Sequence, residues 1–309
     1  MQIATTENTI YTSPDASKIF CYTPSILVTP TGRLIVSFDL GGEGVKSIEG
    51  HKSSRAGGSR FGQGKIFISD DNGQKWTFVQ NFPFWHARLF TIGNSIYLIG
   101  HAGDICIMKS EDNGESWSDT YFLTHGEKWH SSACNVLFSN GNVYLAMEQR
   151  CRLNEVTGWD VAGLSPTLFR ACVEDNLCLA SSWSRSEKFI YKEVFDGAKL
   201  DFFGIPFYDC ETNKPKEIAT GINNAPLGWL EANVVKFVDK DHIWHTDLKE
   251  VFHLFLRAHT GGVNYAHLFK IEIQDDQSMI PSLEHTPSGQ KISYIPFPGG
   301  HLKFFIIYD

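Results

Sequence analysis

A short turn motif occurs twice in the chain, and it constrains the fold more than any other feature. Residues Ser69–Trp76 read Ser-Asp-Asp-Asn-Gly-Gln-Lys-Trp, and residues Ser110–Trp117 read Ser-Glu-Asp-Asn-Gly-Glu-Ser-Trp. Both copies follow an alternating, strand-like run, and their Asn-Gly pair tolerates the positive φ angles of a tight hairpin turn. We expect the aspartate that both copies share, Asp71 or Asp112, to accept backbone N–H groups just ahead of it. Two such hairpins predict a chain built from repeated antiparallel units.

The shared pattern, Ser-x-Asp-x-Gly-x-x-Trp, resembles the Asp-box, or BNR repeat, of the sialidase (neuraminidase) superfamily. The resemblance implies an all-β fold, a sialidase-like β-propeller of four-stranded blades. In that family the boxes lie on the outer rim of a blade, away from the catalytic funnel. They therefore predict architecture and say little about chemistry. Two unrelated hairpins are the alternative interpretation.

The rest of the chain repeats the strand pattern of these two units. The first blade is predicted to run from Cys21 to Val79, with residues 40–63 as a long loop. Further blades are predicted to start near Trp85, Trp129, Leu168, Trp229 and Gly299. We therefore predict one propeller domain over residues 1–309, with a six-bladed pattern and an incomplete last blade. Because an open sheet edge favours aggregation, we expect a chain that continues beyond Asp309 or closure by Ile3–Tyr11.

Composition and charge exclude several classes of function. The chain has 27 basic and 35 acidic residues and a net charge of −8, which indicates neither a nucleic-acid nor an anionic-membrane partner. No apolar run approaches the roughly 20 residues that span a bilayer. The N-terminal stretch lacks the apolar core of a signal peptide, so we expect a cytoplasmic protein, or a secreted one if the sequence was trimmed. The 7 cysteines show no paired spacing, which predicts free thiols.

Candidate site residues follow from the blade pattern, because the first strand of each propeller blade lines the central channel. The starts of the first strands are expected to bring five residues to one channel mouth: Tyr22, His86, His130, Glu231 and His301. The ends of the second strands add six more: Asp39, His101, Glu148, Arg150, Arg257 and His259. A single histidine is more often structural, but three at equivalent positions indicate a site. They lack the short spacing of metal ligands, so neither a metal nor another cofactor is predicted.

Glu231 and Arg257 carry the most specific part of the resemblance. Sialidases have a glutamate at the start of such a strand, which polarises a tyrosine nucleophile, and an arginine on its hairpin partner, which binds the substrate carboxylate. A structural ion pair between neighbouring strands is the alternative for these two residues. Other positions depart from the family pattern. Tyr22 lies near the position at which the family has its first arginine, and residues 40–64 contain no aspartate.

These features predict a carbohydrate-active propeller, an exo-acting glycoside hydrolase that is not a true sialidase. The predicted catalytic residues are Glu231, His86, His130 and Asp39. The predicted substrate-binding residues are Arg257, Arg88, Glu148, Arg150, Tyr22, His301 and His259. Since pairing with Arg257 is expected to keep Glu231 ionised, the general acid would be a histidine, Asp39 or Glu148. The alternatives are an inactive sugar-binding or scaffold propeller and a polysaccharide lyase that acts on acidic sugars. The sequence leaves the sugar, the linkage and the oligomeric state open.

Overall fold

The computed structural model describes residues 7–54, 61–151, 161–194, 216–219, 222–224, 228–259, 265–300 and 302–308. The chain divides into two compact units. The first unit contains Met1–Ala133 and Cys178–Ala180, and the second contains Cys134–Leu177 and Ser181–Asp309. Within the described ranges, no helix is both long enough and apolar enough to cross a bilayer.

Strands dominate both units. Those of the first unit are β1 Phe20–Val28, β2 Leu34–Gly41, β3 Ser53–Ser54, β4 Phe61–Ser69, β5 Thr77–Phe82, β6 Trp85–Ile92, β7 Ser95–Ala102, β8 Asp104–Ser110, β9 Tyr121–Phe122 and β10 Trp129–His130. Those of the second unit are β11 Leu137–Ser139, β12 Asn142–Arg150, β13 Leu164–Cys172, β14 Ser184–Arg185, β15 Lys216–Ala219, β16 Ile222–Asn224, β17 Gly228–Val235, β18 Glu250–His259, β19 Tyr265–Ile273, β20 Met279–Ser282, β21 Glu284–His285, β22 Lys291–Ile292 and β23 Tyr294–Pro296. Helical segments are short: α1 Tyr191–Val194 and 3-10 turns at Glu43–Ser47, Val161–Gly163 and Ala180–Ser182.

The first unit contains two antiparallel meander sheets. One has the order β1–β2–β4–β5, with the short β3 paired to the start of β4, and the other has the order β6–β7–β8–β9. Apolar side chains from both sheets form a shared core that includes Ile35, Phe82 and Leu98. The alternating apolar residues of each strand supply this buried face, as expected for antiparallel sheets.

The second unit contains two further sheets of four or more strands. Strands β11, β12, β13 and β14 form one, and β17, β18, β19 and β20 form the other, in which β23 also pairs with β19. Strand β17 is buried along all 8 of its residues, because it lies in a large apolar core that includes Trp229, Phe252 and Phe269.

These blade-like meanders confirm the all-β fold class of four-stranded sheets that the sequence predicts. Three details of the strand assignment were wrong. The stretches that we assigned to separate blades, residues 142–147 and 168–172, are paired neighbours in one sheet. The predicted loop of residues 40–63 contains the 3-10 turn Glu43–Ser47 and the start of β4. The described part of the predicted strand Gly299–Ile307 has no strand geometry.

The two repeated hairpin turns, Ser69–Trp76 and Ser110–Trp117, have the predicted geometry. Asp71 Oδ1 accepts the backbone N–H of Lys75 at 2.8 Å, and Asp112 Oδ1 accepts that of Ser116 at 2.9 Å. The Asn-Gly pair has positive φ in both copies, with φ of 58° at Asn72 and 80° at Gly73 in the first. Each turn is therefore held by its own side chains, as the repeated motif predicts.

Among the described residues, the structure joins no two cysteines by a disulfide. Because they lie in apolar, strand-like runs, we expected Cys21, Cys106, Cys134 and Cys172 to be buried. Cys106 and Cys134 are buried inside their apolar surroundings, but Cys21 is exposed. Strand β1 is the edge strand of its sheet, and for that reason its apolar sequence does not ensure burial.

Replacing Gly73 by alanine should destabilise the first unit by about 1–2 kcal/mol, because an L-residue other than glycine is disfavoured at positive φ. The added methyl group would also lie 3.4 Å from the ring of Trp76. Urea unfolding measures the change, with Asn72→Gly as the matched control, since glycine accepts the φ of 58° at that position. Equal stability of Gly73→Ala and the wild type would contradict this account of the turn.

Candidate functional site

Three first strands carry the same irregularity. In β1, β6 and β17 the pairing register skips, so that two residues of the strand face one residue of its partner. The first of the two residues is Thr23, His86 or Glu231, and their φ angles are 46°, 54° and 60°. Such β-bulges bend the strand and redirect a side chain, and they are over-represented next to active sites. The repeat of one bulge in three strands makes these three positions structurally equivalent.

The bulges also store backbone strain. A residue other than glycine at positive φ costs about 1–3 kcal/mol and persists only where the surroundings enforce it. The equivalence confirms that His86 and Glu231 occupy matching positions, but it corrects the first strand. There the matching residue is Thr23, because Tyr22 pairs directly with Asp39, as Trp85 pairs with His101.

Buried carboxylates hold two of the bulges. In the first unit the backbone N–H of His86 donates to Asp39 Oδ1 at 3.0 Å. In the second unit the backbone N–H of Ala232, the residue after Glu231, donates to Glu148 Oε1 at 3.0 Å. Both carboxylates come from second strands, and both residues are only 1% exposed. Asp39 therefore has a structural explanation, and its catalytic role stays a prediction.

Glu231 is the centre of a charged cluster in the second unit. It is 4% exposed, and its Oε2 lies 3.3 Å from the guanidinium Nη1 of Arg257 on the neighbouring strand β18. Its other oxygen, Oε1, lies 3.4 Å from Nζ of Lys303, whose side chain is 47% exposed. Glu148 reaches the same bulge through Ala232. The carboxylates of Glu231 and Glu148 and the cations of Arg257 and Lys303 therefore surround the β-bulge of β17.

The segment that carries Lys303 is held beside β17 by Asn233, which is completely buried. Asn233 Nδ2 donates to the backbone carbonyl of Phe304 at 3.1 Å, and its Oδ1 accepts the backbone N–H of Ile306 at 3.1 Å. A side-chain amide therefore replaces the ladder bonds that would have made this segment a strand. We did not predict Lys303 or Asn233. The sequence feature that could have indicated Asn233 is its polar side chain inside the apolar run Leu230–Val235, because a buried amide needs hydrogen-bond partners.

The histidines that we predicted form a cluster in the first unit. The ring of His86 lies 5.3 Å from that of His101 and 5.4 Å from that of His130, measured between centroids. His101 Nε2 and His86 Nδ1 are 3.4 Å apart. His101 and His130 are buried, and His86 is partly exposed. Arg88, two residues after the bulge position, is also buried and donates from Nη2 to Ser131 Oγ at 2.6 Å.

The remaining predicted residues are less informative. The exposed ring of Tyr22 packs beside Gly41, and Arg150 lies at the end of β12 opposite Leu164. His301 and the side chain of His259 lie outside the described residues. Among those that are described, no group of three or more His, Cys, Asp or Glu side chains is placed to hold a metal ion. The expectation that the histidines and Glu231 line one pocket stays a prediction.

No protein-family model matches the chain, and no curated protein matches it significantly. Solved structures to which the chain is similar include a protein of unknown function from Dyadobacter fermentans, at 14% identity over 89% of this chain and 70% of that one, with a TM-score of 0.49. An alpha-L-arabinofuranosidase from Lactobacillus brevis is similar at 13% identity over 89% of this chain and 82% of that one, with a TM-score of 0.48. The NanB sialidase from Streptococcus pneumoniae is similar at 10% identity over 92% of this chain and 50% of that one, with a TM-score of 0.47.

Proposed function

We propose that the chain is an exo-acting glycoside hydrolase whose reaction centre is the bulge of β17. The observation that carries this proposal is that two carboxylate residues belong to that bulge: Glu231 is its first residue, and Glu148 accepts the N–H of its second, Ala232. Most glycoside hydrolases use a pair of Asp or Glu side chains, one as acid and the other as base or nucleophile. The two residues come from different strands, β17 and β12, and the fold brings them together.

The surroundings of each carboxylate suggest its role. Glu231 contacts the cations of Arg257 and Lys303, an arrangement that suits an anionic base or the activation of a nucleophile. Glu148 accepts the backbone N–H of Ala232 at the same bulge and is the candidate for the general acid. Arg257 and Lys303 are more exposed than Glu231, so an anionic group of the sugar can reach them.

A catalytically inactive sugar-binding propeller is the second candidate. One observation favours it: each oxygen of the nearly buried Glu231 contacts a cation, which also suits a purely structural ion pair. In that case Glu231 would stabilise the bulge and would not touch a substrate.

A screen of chromogenic 4-nitrophenyl glycosides and acidic oligosaccharides separates the two candidates. A hydrolase releases product from at least one of them, and Glu231→Gln removes that release while the variant stays folded. If no compound is cleaved but some bind, the inactive propeller is the better account. A double bond in the sugar product would instead identify the lyase that the sequence left open.

Replacing Arg257 by alanine should raise KM for an anionic sugar by roughly 10-fold or more, because a hydrogen bond to a charged group contributes about 1.5–3 kcal/mol. We expect a smaller change in kcat and in KM for a neutral sugar. Arg257→Lys is the matched control, since it keeps the charge next to Glu231. The proposal would be contradicted if steady-state kinetics showed that Arg257→Ala raises KM equally for neutral and anionic sugars.

A further inference from the structure

A loop at the opposite end of the β17–β18 hairpin forms a second candidate site. Residues 236–249 connect the two strands, while Glu231 and Arg257 lie near the other end. At a rise of about 3.3 Å per residue, the start of this loop is about 15 Å from Glu231 along the strand. Trp244 of the loop lines two clefts, of about 350 Å³ and 370 Å³.

The aromatic side chains of the loop are held in fixed positions. The ring of His242 stacks on Phe237 at 3.9 Å between centroids, and its Nδ1 accepts the backbone N–H of Trp244 at 3.1 Å. Trp244 stacks on the buried ring of His253 at 5.4 Å. A ligand that contacts Trp244 would therefore meet a ring that is already oriented, which reduces the entropic cost of binding.

The polar wall of the larger cleft is also preorganised. Lys236 Nζ lies 3.0 Å from Glu250 Oε1, and Asn140 Nδ2 donates to the same oxygen at 2.9 Å. The cation is thus paired with a carboxylate. On the other side of the loop Lys249 Nζ lies 3.4 Å from Glu272 Oε2. Paired charges offer hydrogen-bond donors and acceptors side by side without a net charge that would select an anion.

From this geometry we propose that the clefts around Trp244 bind a neutral oligosaccharide, at a site separate from the Glu231 bulge. A sugar hydroxyl both donates and accepts, so it matches alternating lysine or amide donors and carboxylate acceptors. The apolar face of a pyranose ring matches an oriented indole. The volumes of the two clefts lie within the range of small-molecule sites. The site would hold part of a larger glycan and would take no part in bond cleavage.

The test uses the full chain carrying Glu231→Gln, so that bound glycans are not cleaved, on an array of neutral and acidic oligosaccharides. We expect neutral glycans to bind, and calorimetry on the strongest one to give a Kd that Trp244→Ala raises by about 10-fold or more. Trp244→Phe should retain most of the affinity. Asn140→Gly, which fits the φ of 48° at that turn, should weaken binding without disturbing the loop.

Where glycans do bind, three results would overturn the proposal. They are the binding of acidic glycans alone, unchanged affinity in both Trp244→Ala and Asn140→Gly, or loss of binding in Arg257→Ala. If Trp244→Ala unfolds, as judged by near-UV circular dichroism, Asn140→Gly decides alone. Because binding is measured without turnover, a failure of the proposed hydrolase does not change this result. An array on which no glycan binds at all would also refute the site.

Discussion

Replacing Glu231 by glutamine should lower kcat for the hydrolysed glycoside by about 10²-fold or more, because glutamine cannot act as a base. The amide keeps the volume of the side chain and one oxygen, so the bulge should persist and KM should change little. Turnover is measured on the substrate that the screen identifies. Glu174→Gln, at an exposed glutamate, is the matched control and should keep full activity.

Glu148→Gln refines the same experiment. The amide oxygen of glutamine can still accept the N–H of Ala232, so a residue that only holds the bulge should tolerate the change. A general acid should not, because an amide cannot donate the required proton. Full activity in Glu148→Gln would restrict Glu148 to a positioning role. Full activity in Glu231→Gln would contradict the catalytic assignment of the β17 bulge.

Stability of the second unit should fall by about 2 kcal/mol between pH 6.5 and pH 5 because of His267 alone. His267 is completely buried among Trp229, Tyr191 and Tyr294, and burial lowers its pKa from 6.5 to about 3. The folded state therefore keeps the ring neutral while the unfolded state binds a proton below pH 6.5. The contribution of the neutral His267 ring to the free energy of unfolding is complete above pH 6.5 and is lost as the pH falls towards 3.

Urea unfolding at several pH values measures this loss. In His267→Phe the fall in the free energy of unfolding between pH 6.5 and pH 5 should be smaller by about 2 kcal/mol. This holds whatever the effect of the substitution on absolute stability. His285→Asn, at an exposed histidine, is the control. Burial also lowers the pKa of His253, so a residual slope of the same sign is expected in His267→Phe. An unchanged slope in that variant would refute the assignment.

The parts of the fold that depend on local chemistry could be predicted from the sequence. The first repeated turn depends on Asp71 and on the Asn72-Gly73 pair, and the hydrogen bond from the N–H of Lys75 to Asp71 lies within a few residues. The pairing of Glu231 with Arg257 followed from the hairpin that joins their strands. Such features are encoded within short stretches of chain, and a single sequence is enough to find them.

The parts that depend on tertiary contacts could not be predicted. In β1 the bulge position is Thr23, one residue after the predicted Tyr22, and nothing in the local alternation marks that shift. Residues 302–308 have the apolar and aromatic composition of a strand, yet the amide of Asn233 holds them in another conformation. Lys303 reaches Glu231 only through that segment. The contacts of Asp39 and Glu148 with the bulges could not be predicted, because each hydrogen bond joins residues that are far apart in the sequence.

A crystal structure of the Glu231→Gln variant with the intact glycoside tests the central claim most directly. We expect the scissile linkage to lie at the β17 bulge, within hydrogen-bonding distance of residue 231 and of Glu148, with Arg257 or Lys303 contacting the sugar. A glycoside bound away from this bulge, with Glu231 and Arg257 still paired as in the free protein, would contradict the account.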